Sequence, residues 1–523
     1  MAANPKMRNF ARSLEGELNQ RGFKTVNAKR VNQRLMQEGL LKKGGSCGLV
    51  SGKEKILNRG IGSKRSGFNV FVKEEDNRVL VYYMNPDTGP DAPMLRRNEK
   101  GKMPAGQNYN ILKTYKGIQN PAAYAEKVAK DIAHYASLKP DTEYRMESHL
   151  HSGWMFGGYI GGSKQIKDDG MSNIMHVLRV MAHTNRDVVA LTSHNAFNER
   201  QFRAMEIIAQ EMGMVMVPSV ELTIPGRTPN GPHVCCYLAD AGVAMNEFNL
   251  IALKGREDYA MPPFNDVGQF PEIVQKLFAQ MVKGTRELFM SVAHPFNFYT
   301  AERNLYEVGA LSSIECGPYS FVEVMQLMHY FQGVEGWNFG MSDKDTIPNL
   351  DNRSLQECVH DICATHLPPG TKRTPNSIAY AFALQMQFDG TVHNTFTGTD
   401  DHYTPDMNYR SNGLPQVRGH TEIEMARVYA KMADRKPTSQ ELISWLLSNQ
   451  ILTTGFVYLE HEDGYLRVPK GRKSYNKATS AAAKKMHAAG QKLYQKAVIR
   501  DLATFKISPS EMVNLAHSFG IGD

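Results

Sequence analysis

The stretch Glu147-Ser148-His149-Leu150-His151-Ser152 decides how this chain is read. It closes an apolar run, Tyr144–His149, of strand character. Residues i and i+2 of a strand point to one face, so His149 and His151 can bring two imidazoles to a single point. Neutral imidazole nitrogens are good ligands for divalent metals. An HxH pair alone is a weak pattern, and chance surface histidines account for most such pairs. The weight has to come from the rest of the chain.

From Glu143 onward, short apolar runs alternate with longer helical patterns, the signature of βα units. Seven strands are expected: Tyr144–His149, Val188–Ser193, Met214–Leu222, His233–Leu238, Leu288–His294, Ser312–Cys316 and Val392–Thr399. Asn173–His183 and Glu199–Met212 carry apolar residues at helical spacing between them. Nearly every strand ends on a polar or ligand-type residue, and in a βα barrel that end is the active-site face. The first end offers His149 and His151, the second Thr192-Ser193-His194-Asn195, and the third Glu221, with His233 shortly after it. The fifth offers Ala293-His294-Pro295 and the seventh Gly398-Thr399-Asp400-Asp401-His402. One histidine at a strand end is ordinarily structural. Six histidines and two carboxylates at one barrel mouth are not explained by packing. This donor set suits two or three divalent ions of the Zn, Mn or Fe type. Closely spaced metals can turn water into hydroxide near neutral pH and clamp the oxygens of a phosphoryl group.

Taken in this order, the motifs resemble the PHP domain, named for polymerase and histidinol phosphatase. The resemblance covers about residues 141–465 and includes a closing helix and strand of the type seen in Glu441–Leu447 and Ile451–Gly455. It implies an α/β fold, a distorted seven-stranded TIM-like (βα) barrel with a di- or trinuclear metal site. Carried over residue by residue, it implies that His149, His151, Glu221 and Asp400 hold one metal. Glu221 would bridge to a second, held also by His233 and His294. His194 and His402 would hold a third, with an acid from the loop after the first strand, for which Asp169 in Asp169-Gly170 is the best match beside Asp168.

Three departures from the family pattern stand out. Ser193 occupies a position where the family usually has aspartate, which removes an acid beside a metal ligand. An insertion at 152–168 carries Gly153, Gly157, Gly158, Gly161 and Gly162 with Trp154, Phe156 and Tyr159. It reads either as an aromatic lid that stacks on a base or as a flexible surface loop. The third departure is a long connection, 317–390, which contains Gly340-Met341-Ser342-Asp343-Lys344-Asp345, a partial copy of the last motif. Asp400 and His402 are the better match, because Asp345 stands where the second histidine should be.

Around this segment the chain divides into 1–140, 141–465 and 466–523. The formal net charge of +8 is uneven. Residues 1–120 carry 23 Lys/Arg against 10 Asp/Glu, and residues 466–523 carry 11 against 3, so the middle is acidic. Basic flanks can hold DNA or RNA near the middle segment, or they are solvated faces. Residues 8–43 predict two helices, and Phe68–Val72 with Arg78–Tyr83 a β-hairpin. Helix, basic helix and hairpin is the order of a winged-helix DNA reader, with Lys29, Arg30 and Arg34 as candidate nucleic-acid contacts, and also of many small α+β modules. Asp87–Gly106 predicts a linker, Ala122–Ser137 a helix, and Glu422–Ala433, Ser439–Ser448 and the basic tail further helices.

Six sparse cysteines and an N-terminus without the apolar core of a secretory signal predict a cytoplasmic protein, and no apolar run predicts a membrane span. Cys358-Val359-His360-Asp361-Ile362-Cys363 with His366 fits no common zinc finger and predicts a helix. Cys235 and Cys236 predict strand core rather than nucleophiles. Arg227 is a candidate phosphate grip or an ordinary loop arginine.

The expected function is a metal-dependent phosphoesterase using metal-activated hydroxide, with His194 or His402 assisting proton transfer. Its expected substrate is nucleic acid or nucleotide. The alternatives are a small-molecule phosphomonoesterase and a non-catalytic, metal-stabilised interaction module.

Overall fold

The computed structural model describes residues 4–50, 52–62, 67–84, 110–139, 144–151, 174–193, 199–223, 233–238, 288–295, 331–338, 353–366, 375–388, 394–398, 400, 421–423, 438–439, 441–442 and 454–456. Strand alternation builds the N-terminal layer. Strands β1 (Lys24–Thr25), β2 (Glu54–Asn58), β3 (Asn69–Glu75), β4 (Arg78–Met84) and β5 (Asn110–Lys116) form one antiparallel sheet in chain order. Leu57, Val70, Val72, Val79, Val81 and Tyr83 face one side. There they bury Phe10, Leu14 and Leu18 of helix α1 (Pro5–Gln20) and Val128 and Ile132 of α3 (Pro121–Leu138). Both helices start on Asn-Pro: the asparagine side chain accepts a backbone N–H of the first turn, and proline takes a position that needs no donor. Ile56, Phe71 and Tyr82 face the other side and join a second core. Successive residues alternate between two cores because side chains alternate along a strand.

The two expected helices and the hairpin are present, and the hairpin buries apolar side chains on both faces over Val70–Val72 and Val79–Tyr83 while its tip, Lys73–Arg78, is polar. Helix α2 (Ala28–Gln37) buries Val31 and Leu35 in the second core. That core continues through Val177, Leu178 and Met181 of α4 (Ile174–His183) and Met205 and Ile208 of α5 (Glu199–Glu211). The N-terminal layer therefore shares a core with helices α4 and α5. A buried polar seam lies along the junction. Lys139 Nζ donates to Asp187 Oδ2 at 2.6 Å, Gly67 O at 3.0 Å and Asn185 O at 3.1 Å. Asn58 Nδ2 donates to Asn69 Oδ1 at 2.7 Å and Met212 O at 2.8 Å. Buried polar groups need such partners to offset desolvation.

The remaining described strands form two further sheets. One has the order β15 (Thr454–Phe456), β14 (Thr421–Ile423), β6 (Tyr144–Glu147), β7 (Val188–Ala190) and β8 (Val215–Val217), with β6, β7 and β8 parallel. The other runs β13 (Asn394–Gly398), β12 (Gly333–Asn338), β11 (Leu288–Val292), β10 (His233–Leu238) and β9 (Ser219–Thr223). Here β9, β10 and β11 are antiparallel, and β11, β12 and β13 parallel. Backbone hydrogen bonds join the two sheets: Asp400 N to His149 O at 2.8 Å, and Glu221 N to Ser193 O at 3.1 Å.

Three expectations change here. Met214–Leu222 is not one strand. It divides at Pro218, which has no N–H for a ladder and whose carbonyl instead accepts from Leu238 N at 2.8 Å. The connection 317–390 supplies β12, a central strand of its sheet, with helices α6 (Arg353–His366) and α7 (Pro375–Phe388). Glu422 and Ile423 are strand, not the start of a helix, because they pair with Arg145 and Tyr144. Ser439 and Glu441–Leu442 are helical, started by reciprocal capping between Thr438 and Glu441. The expected strand Ser312–Cys316, the linker, the insertion 152–168 and the tail 466–523 lie outside the described residues. Among the described residues, no helix is long and apolar enough to cross a membrane.

Candidate metal centre

His149 and His151 follow directly on β6 and flank Leu150, whose side chain is buried in the core on the opposite side. Thr192 holds this segment in place: its N–H donates to Leu150 O at 2.9 Å, and its hydroxyl accepts from Leu150 N at 3.2 Å. The two imidazoles meet with their Nε2 atoms 3.2 Å apart. Glu221 reaches them from β9. Its Oε2 lies 3.3 Å from His149 Nε2 and 3.2 Å from His151 Nε2. Its Oε1 lies 2.9 Å from His233 Nδ1 and 3.2 Å from His294 Nε2. Asp400 Oδ1 completes the group at 3.3 Å from His151 Nε2 and 3.5 Å from His149 Nε2.

Topology explains the convergence. His149, His151, His294 and Asp400 sit just past the ends of β6, β11 and β13. His233 is the first residue of β10, which runs antiparallel to β9 and β11, so its start lies at the end of the sheet where β9 and β11 finish. His294 and Asp400 have positive φ, +26° and +48°. For non-glycine residues this costs on the order of 1–3 kcal/mol and persists only where surrounding bonds impose it. Here they do: His294 N donates to Glu335 Oε2 at 2.6 Å, and Asp400 N donates to His149 O.

The donors form three overlapping triads: His149–His151–Glu221, His149–His294–Asp400, and Glu221–His233–His294. All are buried except Asp400, which is half-buried. Burial opposes charge on His149, but Cys235, Glu221, Glu335 and Asp400 outweigh it and hold the imidazole well above its ordinary pKa. Burial likewise opposes charge on His294, and Glu221 and Asp400 reverse the outcome. The site thus favours positive charge, whether protons or a cation that displaces them. Buried nitrogen and oxygen donors of this kind fit a divalent ion. Cys235 pairs with Glu221 in the β9–β10 register. Burial pushes its thiol up to about 11, against the opposing pull of His149.

Among the expected site residues, His149, His151, Glu221, His233, His294 and Asp400 meet in this cluster. Asp169, His194, His402 and Arg227 lie outside the described residues. Lys29, Arg30 and Arg34 stand on α2 and are not among the residues of this cluster. Arg30 forks onto Glu211 of α5, with Nη2–Oε1 2.8 Å and Nε–Oε2 3.0 Å. Arg34 Nη1 lies 3.4 Å from Gln210 Oε1. In α6, Cys363 is buried, His360 is exposed, and His366 Nε2 is 2.8 Å from Gln385 Oε1 of α7.

Sequence reading missed Glu335, whose Oε1 lies 3.1 Å from His149 Nδ1. The available signal was an acid inside a short apolar run, Val334-Glu335-Gly336-Trp337, just before the motif-like Ser342-Asp343.

No protein-family model matches the chain, and no curated protein matches it. Among solved structures, a candidate metal-dependent phosphoesterase from Bifidobacterium adolescentis is similar at 12% identity, covering 50% of this chain and 87% of its own, with a TM-score of 0.27. An amidohydrolase from Chromobacterium violaceum, solved with sulfate and no metal, is similar at 14% identity, covering 52% of this chain and 93% of its own, also with a TM-score of 0.27. At that level of overlap neither carries weight for fold or activity. What stands at the site is the chemistry of its own donors: four histidines and two carboxylates able to hold a divalent metal.

Proposed function

We propose that this chain is a metal-dependent phosphoesterase of the PHP type. The observation that carries the reading is Glu221, one buried carboxylate facing His149 and His151 through one oxygen and His233 and His294 through the other. That is the geometry of a bridging ligand. In this reading His149, His151, Glu221 and Asp400 hold one ion, and Glu221, His233 and His294 a second. His194, His402 and Asp169 would add a third. The seven-stranded barrel is part of the same proposal, and the two backbone bonds that join the sheets at His149 and Ser193 support it. When bound, the ions supply activation of water near neutral pH and neutralisation of charge on the phosphoryl oxygens. The chain's own residues orient the donors and keep the cluster dry. His194 or His402 moves a proton wherever it is not committed as a ligand.

The substrate class we propose is nucleic acid or nucleotide, on the strength of the basic flanks. One observation favours a small phosphate monoester instead: Arg30, one of the cations expected to meet nucleic acid, is engaged with Glu211. A single experiment separates the readings. Purified protein is analysed for metal, then assayed with Mn, Zn and Mg on a chromogenic phosphate ester, nucleoside monophosphates, and end-labelled DNA and RNA. Metal-dependent hydrolysis abolished in the His149→Ala/Asp400→Ala double variant is expected. A metal-free protein inert on the whole panel would sink the enzyme reading and favour a non-catalytic module.

A further inference from the structure

We infer that Glu335 is a positioning residue that sets the tautomer of His149 and ties the two halves of the centre together. The inference rests on the metal site proposed above. Glu335 is buried on β12, the strand between β11, which leads to His294, and β13, which leads to Asp400. Both of its oxygens are used at the cluster. Oε1 lies 3.1 Å from His149 Nδ1, and Oε2 accepts from His294 N at 2.6 Å. In the proposed arrangement Glu335 Oε1 accepts at this contact and His149 carries its proton on Nδ1. In the neutral ring the lone pair is then on Nε2, which points at Glu221 Oε2, His151 Nε2 and Asp400 Oδ1. A carboxylate behind a metal-binding histidine fixes its orientation and raises its basicity. The second oxygen does separate work by holding His294 in its positive-φ backbone.

Two further features show how the strand is shaped for this. The β12–β13 register shifts between Glu335 and Trp337, a bulge of the kind that re-aims side chains beside active sites. Gly398 stands against the pair, and a Cβ there would run into both His149 Cβ and Glu335 Oε1. The absence of a side chain at residue 398 is what lets Glu335 and His149 meet.

The test uses the full chain and zinc. Glu335→Gln is nearly isosteric but offers one acceptor oxygen where two are used, and Glu335→Ala removes both. Zinc affinity is measured by competition with a chelating dye, and thermal melting is recorded alongside. A loss of roughly 10- to 100-fold in affinity is expected for Glu335→Gln, with a folded protein, and a larger loss for Glu335→Ala. In zinc-loaded wild-type protein, ¹⁵N-histidine spectra should show His149 protonated on Nδ1, a measurement that needs no variant. Nδ1 found bare, or unchanged zinc affinity in both variants, overturns the role of Glu335 and leaves the metal site standing. Lowered melting with unchanged affinity overturns it too, since that is what a purely structural side chain would give. Wild-type protein that binds no zinc, manganese or iron overturns the metal reading and this inference with it.

Discussion

His149 and Asp400 are joined twice: the Asp400 backbone N–H donates to the His149 carbonyl at 2.8 Å, and Asp400 Oδ1 lies 3.5 Å from His149 Nε2. The first bond links the sheet containing β6 to the sheet containing β13, and the second belongs to the candidate centre. One contact region therefore serves fold and site together. The donors converge only when the two sheets meet, so a ligand held by the cluster would stabilise the junction between them.

Glu221→Gln keeps the shape of the bridge and removes the charge that four imidazoles share. Metal affinity should fall on the order of 100-fold or more, at least as far as for loss of an outer partner. Elemental analysis after dialysis checks it. Melting temperature should rise with added zinc or manganese in the wild type and respond far less in the variant, and chelator should remove the wild-type gain. Equal metal content in the two proteins would remove Glu221 from the centre.

Lys139 and Asp187 are both fully buried, and their pairing spans the junction between the N-terminal layer and β7. Lys139→Met would strand the Asp187 carboxylate without its cation, at a cost of about 3–5 kcal/mol in urea unfolding. Adding Asp187→Asn removes the stranded charge while keeping an acceptor for Gly67 N. The double variant should be more stable than Lys139→Met alone. If it is less stable, the charge on Asp187 is not what makes the single change costly.

Arg30 and Glu211 offer a test of how α2 is employed. The arginine side chain is 59% exposed and the glutamate 6%, and Glu211 also accepts from Asn27 N at 3.0 Å. A double-mutant cycle should give a coupling of about 0.5–1 kcal/mol that shrinks with salt. A coupling of zero, together with DNA binding that depends on Arg30, would return α2 to the role of a nucleic-acid contact.

His183 predicts a pH dependence. Its ring stacks on Tyr82 with centroids 3.8 Å apart, and burial, followed by the charge of Arg179, lowers its pKa from 6.5 to about 3. Between these values the unfolded chain takes up a proton that the folded chain refuses. Stability therefore falls as pH drops through that window, by at most about 1.4 kcal/mol per pH unit, and this contribution is constant above it. His183→Phe keeps a ring on Tyr82 and should flatten the acid side of the stability curve measured by urea at several pH values. An unchanged slope would show that His183 takes its proton in the folded state.

Much of the local structure was legible because its causes are local. His233–Leu238 could be bounded from its apolar run, and the β3–β4 hairpin from alternation around Glu74–Asn77. The helices expected in residues 8–43 and over Ala122–Ser137 are present as α1 and α3, which the structure starts slightly earlier, on Asn-Pro at Pro5 and Pro121. The expected single strand Met214–Leu222 runs across Pro218, and only the contact of the Pro218 carbonyl with Leu238 N shows that the chain leaves one sheet for the other there. Glu335 left only a faint signal: Gly333 and Gly336 weaken the strand pattern around it, and its value lies in partners that follow two other strands.

By itself, then, the sequence determined which residues are ligand types and that His149 and His151, two residues apart, can share a face, because side-chain direction alternates with a fixed period. Only the tertiary structure decided that Glu221 faces four histidines at once, that Glu335 stands behind His149, and that α2 docks on α5. These depend on how sheets and helices meet, and that is set by the summed burial of many side chains rather than by any short pattern.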